Sequence, residues 1–209
     1  MKPAKRPEAQ RLTRDDWLDA AYQAVVEGGF DNARVLTIAD ALGVTRGSFY
    51  WHFADRADLI AALLARWRER EIESARRWES EATADARADL ERLLEAALAH
   101  AGSGLENLRF ELALRGLGRR DPAVAKMLVE ADQLRLNMFQ RKFERLTGDA
   151  ATAAEYAALF YVAIVGSHQA LSRPSSSTQQ KEYLKRVISK YLIRWQAPAA
   201  AQRRRASAR

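Results

Sequence analysis

The chain has 209 residues, 48% of them hydrophobic and 29% charged, and no cysteine; this is a globular composition, and the lack of cysteine excludes disulfides and thiolate metal sites. The net charge of +7 suggests a polyanionic partner. Its distribution qualifies that: residues 1–56 hold eight basic and eight acidic groups, residues 57–170 sixteen and eighteen, and the last 39 residues ten and one.

Residues 1–12 are rich in Pro and charge and read as a disordered basic arm. No apolar stretch follows the basic residues of 1–7, so no secretory signal is expected. No apolar run is read as approaching the ~20 residues of a membrane span, and a cytoplasmic protein is the simplest expectation. Thr13 is a good helix cap with Asp15 and Asp16 in the first turn, where the helix dipole favours acids. Trp17, Ala20, Ala21, Ala24 and Val25 then share one face, and Gly28-Gly29 ends the helix.

Two short helices follow, over about 35–42 and 46–53, broken at Gly43. Ile38, Leu42, Val44, Phe49 and Phe53 are the apolar positions that lock them together, and Ala39 is small where they cross. Gly43 supplies the left-handed turn that a Cβ would penalise. Thr45 caps the second helix. Phe49 and Phe53, four apart, point inward and leave Arg46, Gly47, Ser48, Tyr50, Trp51 and His52 outside. Hydroxyls, aromatics and a cation thus stand where a solvated helix usually carries Lys and Glu. This is the layout of a helix-turn-helix that reads the DNA major groove. Tyr50 and His52 can donate to phosphate, Arg46 can contact phosphate or guanine, and Gly47 lets the backbone approach closely. The competing reading, a helical hairpin with its aromatics in a core, gives no reason for Tyr, Trp and His opposite Phe49 and Phe53.

Asp55 caps a long fourth helix, with Asp58 at its third position and Leu59, Ile60, Leu63, Leu64, Trp67 and Trp78 on one face. Further helices are expected from Asp85 to Ala101, from Leu105 to Leu117, from Pro122 to Leu146 with Asp121 as cap and Gly148 as stop, and over 149–172. Residues 173–177 read as a linker, and Thr178 opens the last helix, which runs to Trp195. No segment alternates with period two, so the fold class is all-α.

Residues 13–59, above all Val44 to Phe53 followed by Asp55-Arg56-Ala57-Asp58-Leu59, resemble the DNA-binding domain of the TetR family of regulators. The resemblance implies an N-terminal three-helix helix-turn-helix domain over 13–56 and a larger helical effector-binding and dimerisation domain over 57–197. A disordered basic tail over 198–209 follows. It implies a homodimer that places one recognition helix per subunit in successive major grooves of a near-palindromic operator. By that pattern Thr45, Arg46, Ser48, Trp51 and Gly47 face bases or nearby phosphates, and Tyr50 and His52 hold phosphates. Arg56, at the start of the fourth helix where the family usually has Lys, is a further DNA-binding residue by that pattern. Arg34 falls where the family commonly has Thr; it can bind phosphate but is a poor cap, which leaves Asn32 or Asp31 to cap the second helix. Phe49 replaces the usual Leu and fills the same volume.

The resemblance also implies a small-molecule effector, whose cavity of ~300–1,000 Å³ would be lined by apolar and aromatic groups. Trp78, His100, Phe110, Leu114, Met138 and Tyr161 are the candidates, and for each ordinary core packing is the favoured role. The last two helices are the expected dimer interface. Phe160, Ile164, His168 and Leu171 would contribute from one, and Leu184, Val187, Ile188, Tyr191 and Trp195 from the other. Arg203, Arg204, Arg205 and Arg209 either add phosphate contacts or are a solvated end.

An enzyme is not expected. His52, His100 and His168 are not paired at metal spacing, and Gly166-Ser167-His168 lacks the setting of a nucleophile elbow. No metal or other cofactor is expected. The function expected is a DNA-binding transcription regulator, a repressor that a small molecule releases from its operator. The alternative is a ligand-independent activator or architectural factor.

Overall fold

The computed structural model describes residues 12–98, 103–171 and 178–194. The expected positions His100, Trp195 and the arginines of the tail lie outside these residues, as does nearly all of the N-terminal arm. Among the described residues there are helices and no strands. The chain divides into two compact units, one drawn from residues 1–70 and 109–127, the other from 71–108 and 128–209.

In the first unit, α1 (Arg14–Gly28) starts on a reciprocal cap. The Asp16 amide donates to Thr13 Oγ1 (3.2 Å), and the Thr13 amide donates to the Asp16 carboxylate (2.6 Å). Gly29, at φ +74°, ends α1 and sends Phe30 back onto the core through a 3-10 turn, Phe30–Asn32. Helix α2 (Val35–Ala41) has Arg34 at its cap position without a side-chain cap bond. Neither neighbour supplies one: the Asn32 amide donates instead to the Ala24 carbonyl (3.0 Å), and Arg34 Nε donates to the Asp31 carbonyl (2.9 Å).

The turn that ends α2 is a Schellman motif. The Gly43 amide reaches the Asp40 carbonyl (3.1 Å) and the Val44 amide the Ala39 carbonyl (3.0 Å), with Gly43 at φ +66°. Helix α3 is shorter than its spacing suggests, Arg46–Phe49 rather than 46–53. Beyond it the amides of Trp51 and His52 bond three residues back, to Ser48 and Phe49, which tightens the chain before Asp55 must restart a helix.

That restart is as expected. The Asp58 amide donates to Asp55 Oδ1 (2.8 Å), and α4 runs Arg56–Ser80. The first unit's core is aromatic. Trp17 meets Phe49 edge-on at 5.4 Å, and Phe49 stacks on Phe53 at 5.5 Å. Helix α6 (Ser103–Gly118) adds Phe110, stacked on Tyr22 at 4.9 Å and tilted against Phe30 at 5.6 Å. Aromatic pairs of this kind contribute ~0.5–1.5 kcal/mol beyond their burial.

The second unit holds α5 (Ala86–Leu98), most of α7 (Pro122–Thr147), α8 (Ala150–Leu171) and α9 (Thr178–Ile188). Asp121 caps α7 as expected, accepting from the amides of Ala123 and Val124, and Gly148 at φ +67° stops it. Helix α9 does not continue regularly to its end: Ser189–Ile193 form a π-helical turn, with the Arg194 amide on the Ser189 carbonyl at 2.8 Å. The core packs Leu90, Leu94 and Leu98 of α5 with Phe139, Phe143 and Phe160. It also encloses a charge. Asp89 is fully buried and accepts from Lys142 Nζ (2.7 Å), while Arg92 and Arg145 approach its carboxylate at 3.2 and 3.3 Å.

Helix α8 corrects one expectation from the sequence. Its 22 residues are long and apolar enough to cross a membrane, and only 28% of the apolar window is buried within the protein. Phe160, Ile164 and Leu171 face the core, while Ala154, Ala158, Leu159, Val162 and Gly166 form an exposed stripe on another face.

Candidate nucleic-acid interface

The turn after Gly43 and the burial of Phe49 and Phe53, at 0% and 2% exposure, fix what the α3 segment presents. Trp51 is 86% exposed and Tyr50 51%. Arg46 Nη2 donates to the Tyr50 hydroxyl at 3.0 Å, with its guanidinium 5.9 Å from the ring centre. Tyr50 itself meets Phe49 edge-on. The cation is therefore held by an aromatic that is in turn held by the core. Ser48 Oγ donates to the Thr45 carbonyl (2.9 Å). Thr45 occupies the cap position in extended conformation, but its hydroxyl does not make the cap bond expected of it. A methyl on Gly47 would meet nothing closer than Thr45 Oγ1 at 3.7 Å, so packing within the protein leaves room for a side chain there. His52 is partly buried. Hydrogen bonds from Thr13 hold the exposed Asp16 carboxyl below its usual range, and the charge of nearby His52 lowers it further.

Two cations placed on this surface by resemblance are engaged inside the protein. Arg56 Nε donates to the Ala33 carbonyl (2.8 Å), and its Nη2 donates to the Phe30 carbonyl. This ties the start of α4 to the loop before α2. Arg34 is exposed, with Nε on the Asp31 carbonyl. One residue escaped the sequence reading. Arg14, exposed at the start of α1, places its guanidinium 4.6 Å from the centre of the Phe53 ring. Only the fold brings residue 14 to residue 53, so no local pattern announces it.

The effector candidates divide between the units. Phe110 and Leu114, both fully buried, belong to the first. Trp78, Met138 and Tyr161 belong to the second, where buried Met138 is part of the core and Trp78 and Tyr161 pack against it. Arg92 and Lys142 approach the Trp78 ring at 5.9 and 6.0 Å. A separate open groove of about 400 Å³ lies between α5 and α9, lined by Glu91, Lys185, Arg186, Lys190 and Arg194 among others. None of the effector candidates lines it.

The expected dimer residues also divide. Phe160, Ile164, Leu171 and Ile188 are buried within the protomer, Leu184 and Val187 are half-buried, and Tyr191 is 56% exposed. His168 is half-buried, with Nε2 2.8 Å from the Ala97 carbonyl. Among the described residues no three His, Asp or Glu side chains gather as a metal site would require.

Comparison with known proteins agrees with this geometry. The pattern of "Bacterial regulatory proteins, tetR family" matches residues 18–63. Over 89 residues the chain is 38% identical to the HTH-type transcriptional regulator TtgR of Pseudomonas putida, covering 43% of this chain and 42% of that protein. It is 39% identical over 56 residues to the HTH-type transcriptional repressor BepR of Brucella suis, covering 27% of each. The matches thus span less than half the length of these relatives. The fold extends further. A transcriptional regulator from Saccharomonospora viridis, solved in complex with choline, superposes with a TM-score of 0.70 at 20% identity, over 86% of this chain and 97% of that one. These relatives are regulators of transcription rather than enzymes. Over residues 18–63, the chain carries a domain of the tetR family of bacterial regulatory proteins.

Proposed function

We propose that the chain is a cytoplasmic, homodimeric DNA-binding regulator of transcription, a repressor that leaves a near-palindromic operator when a small molecule binds. The observation that carries the reading is the α3 surface. Arg46, Ser48, Tyr50, Trp51 and His52 are displayed from a segment whose other face is sealed by Phe49 and Phe53. Thr45, Arg46, Gly47, Ser48 and Trp51 face bases or nearby phosphates, and Tyr50 and His52 hold phosphates. Arg14 joins them at the edge, and Arg34 keeps donors free for phosphate. Arg56 contributes by fixing the loop that carries α2.

The dimer is formed by the exposed stripe of α8, Ala154, Ala158, Leu159, Val162 and Gly166, with Tyr191 and the half-buried Leu184 and Val187 of the α9 segment. A surface this apolar is covered in a stable protein, and small residues let two helices approach closely. The effector acts by linkage: a ligand that favours the conformation with the wrong spacing of recognition helices lowers operator affinity by its differential binding energy. Helix α4, whose residues fall in both units, is the element on which both sites can act. A ligand-bound relative in fold supports this part.

A second reading, a regulator that needs no ligand, draws support from the burial of Phe110, Leu114 and Met138, which fill space rather than line it. The test is selection of DNA from a random duplex pool by the full chain, then titration of the complex with small metabolites. The expected result is a dyad-symmetric site with half-site centres about one helical turn, ~34–36 Å, apart, and release by one ligand class. An enriched site without dyad symmetry overturns the dimer. Ligands that bind tightly yet leave operator affinity unchanged overturn the release step in favour of the second reading.

A further inference from the structure

Trp51 is the most exposed large apolar side chain among the described residues, at 86%, ahead of Val129, Val162 and Leu36. Its position is not a loose end. Phe49 and Phe53 on either side are buried, and the amides of residues 51, 52 and 53 are bonded back to Ser48 and Phe49. The backbone thus delivers the indole to solvent from a fixed platform. Two polar side chains of the segment have partners within the protein: Arg46 is held by Tyr50, and Ser48 by the Thr45 carbonyl. No ring or cation in the described residues covers the indole.

We propose that Trp51 reads thymine, its ring packing on the C5-methyl groups that project into the major groove. This rests on the DNA-binding reading above and goes beyond it by assigning base chemistry to one side chain. A phosphate gains nothing from an indole face; the cations and hydroxyls of the same segment serve that purpose. Among base edges in the major groove, the thymine methyl is the apolar group, and packing it against an aromatic ring removes both from water. The site that Trp51 covers is accordingly T-rich in each half of the operator.

The test uses the full chain and a duplex it selects from a random pool. Each thymine is replaced singly by deoxyuridine, which deletes the methyl and leaves the pairing edge intact, and affinity is measured by fluorescence anisotropy at one fixed salt concentration. At one or two positions per half-site the loss should be about fourfold per methyl, the value of burying one such group. Substitution of 5-bromodeoxyuridine, close to methyl in size, should restore binding there. Trp51→Ala should bind all these duplexes equally, with an unchanged unfolding midpoint because the side chain is exposed. The proposal is overturned if deoxyuridine is neutral everywhere while Trp51→Ala weakens every duplex alike, which would put the ring on the sugar-phosphate backbone. If the chain retains no duplex above nonspecific DNA, the DNA-binding reading itself falls, and this assignment with it.

Discussion

Among the surfaces that expose large apolar side chains, α3 and α8 do so in opposite surroundings. Trp51 and Tyr50 stand among Arg46, Ser48 and His52, whereas Leu159 and Val162 of α8 stand among Ala154, Ala158 and Gly166. Apolar exposure alone names no partner; the frame around it does. A cationic, hydroxyl-bearing frame suits a polyanion that offers a few apolar groups, as DNA does. A frame of small residues suits another helix like itself. The comparison breaks most directly at Val162. If a second copy covers the α8 stripe, Val162→Glu buries two carboxylates without partners, at about 3–5 kcal/mol each. Light scattering should then report a monomer that has lost operator binding. A mutant still dimeric at micromolar concentration would remove the α8 stripe from the interface.

The interiors differ as well. The first unit is held by rings, with Trp17, Phe49, Phe53 and Phe110 all buried. The second encloses Asp89 and Lys142, both buried and bonded to each other. Lys142 also donates to the Trp78 carbonyl (2.8 Å), so one ammonium joins α4, α5 and α7. Lys142→Met leaves Asp89 to Arg92 and Arg145, which are partly solvated, and should cost about 3–5 kcal/mol in a urea titration. Burial pushes the Asp89 carboxyl up, but the bonds and charges of Lys142, Arg92 and Arg145 outweigh it and hold the carboxyl below its usual range. A lowered folded-state value adds stability above the unfolded value of ~3.9, and that stability is lost as pH falls through the folded value. The advantage of the native chain over Asp89→Asn should be full at pH 6 and shrink below about pH 4. An advantage independent of pH would mean that Asp89 serves only as a polar filler.

Signals carried by neighbouring residues were readable in the sequence. Gly43 at positive φ, Thr13 as the cap of α1, Asp55 on the Asp58 amide and Asp121-Pro122 at the start of α7 each rest on chemistry within five residues. What depends on distant chain was not readable. Helix α8 is apolar nearly all round, so periodicity could not say that Phe160, Ile164 and Leu171 turn inward while Leu159 and Val162 turn out. Phe110 and Leu114 show the same limit, because the part of α6 that carries them packs in the first unit, where Phe110 meets Tyr22 and Phe30, some 80 residues away. At the DNA-facing surface, resemblance placed Arg56 among the DNA contacts, but 23 and 26 residues before it stand the carbonyls that it binds. Arg56→Met strips donors from both, and should lower stability by about 1–3 kcal/mol while operator affinity at saturating folded protein stays close to native. The opposite pattern, intact stability and weakened DNA binding, would return Arg56 to the phosphate backbone.

The smallest effect probes how the polar frame around Trp51 is itself built. Arg46 is exposed and would sample many rotamers, but the Tyr50 hydroxyl accepts from its Nη2 and the Tyr50 ring rests on buried Phe49. Tyr50→Phe keeps the ring and removes the acceptor, so the guanidinium loses its anchor at a cost of about 0.5–1.5 kcal/mol in binding, roughly two- to twelvefold in Kd. Arg46→Ala should cost more and also flatten the salt dependence by about one phosphate contact, a change of ~0.9 in the logarithmic slope. The double mutant decides between two roles for Tyr50. If Tyr50 acts by aiming Arg46, removing both costs no more than removing Arg46 alone. If Tyr50 also donates to a phosphate of its own, the two losses add. Non-additivity would mean that the DNA-facing surface is organised before DNA arrives, by a chain of contacts from Phe49 through Tyr50 to Arg46. The α8 stripe, built of Ala154, Ala158, Leu159, Val162 and Gly166, has no cation to aim and needs no such preparation.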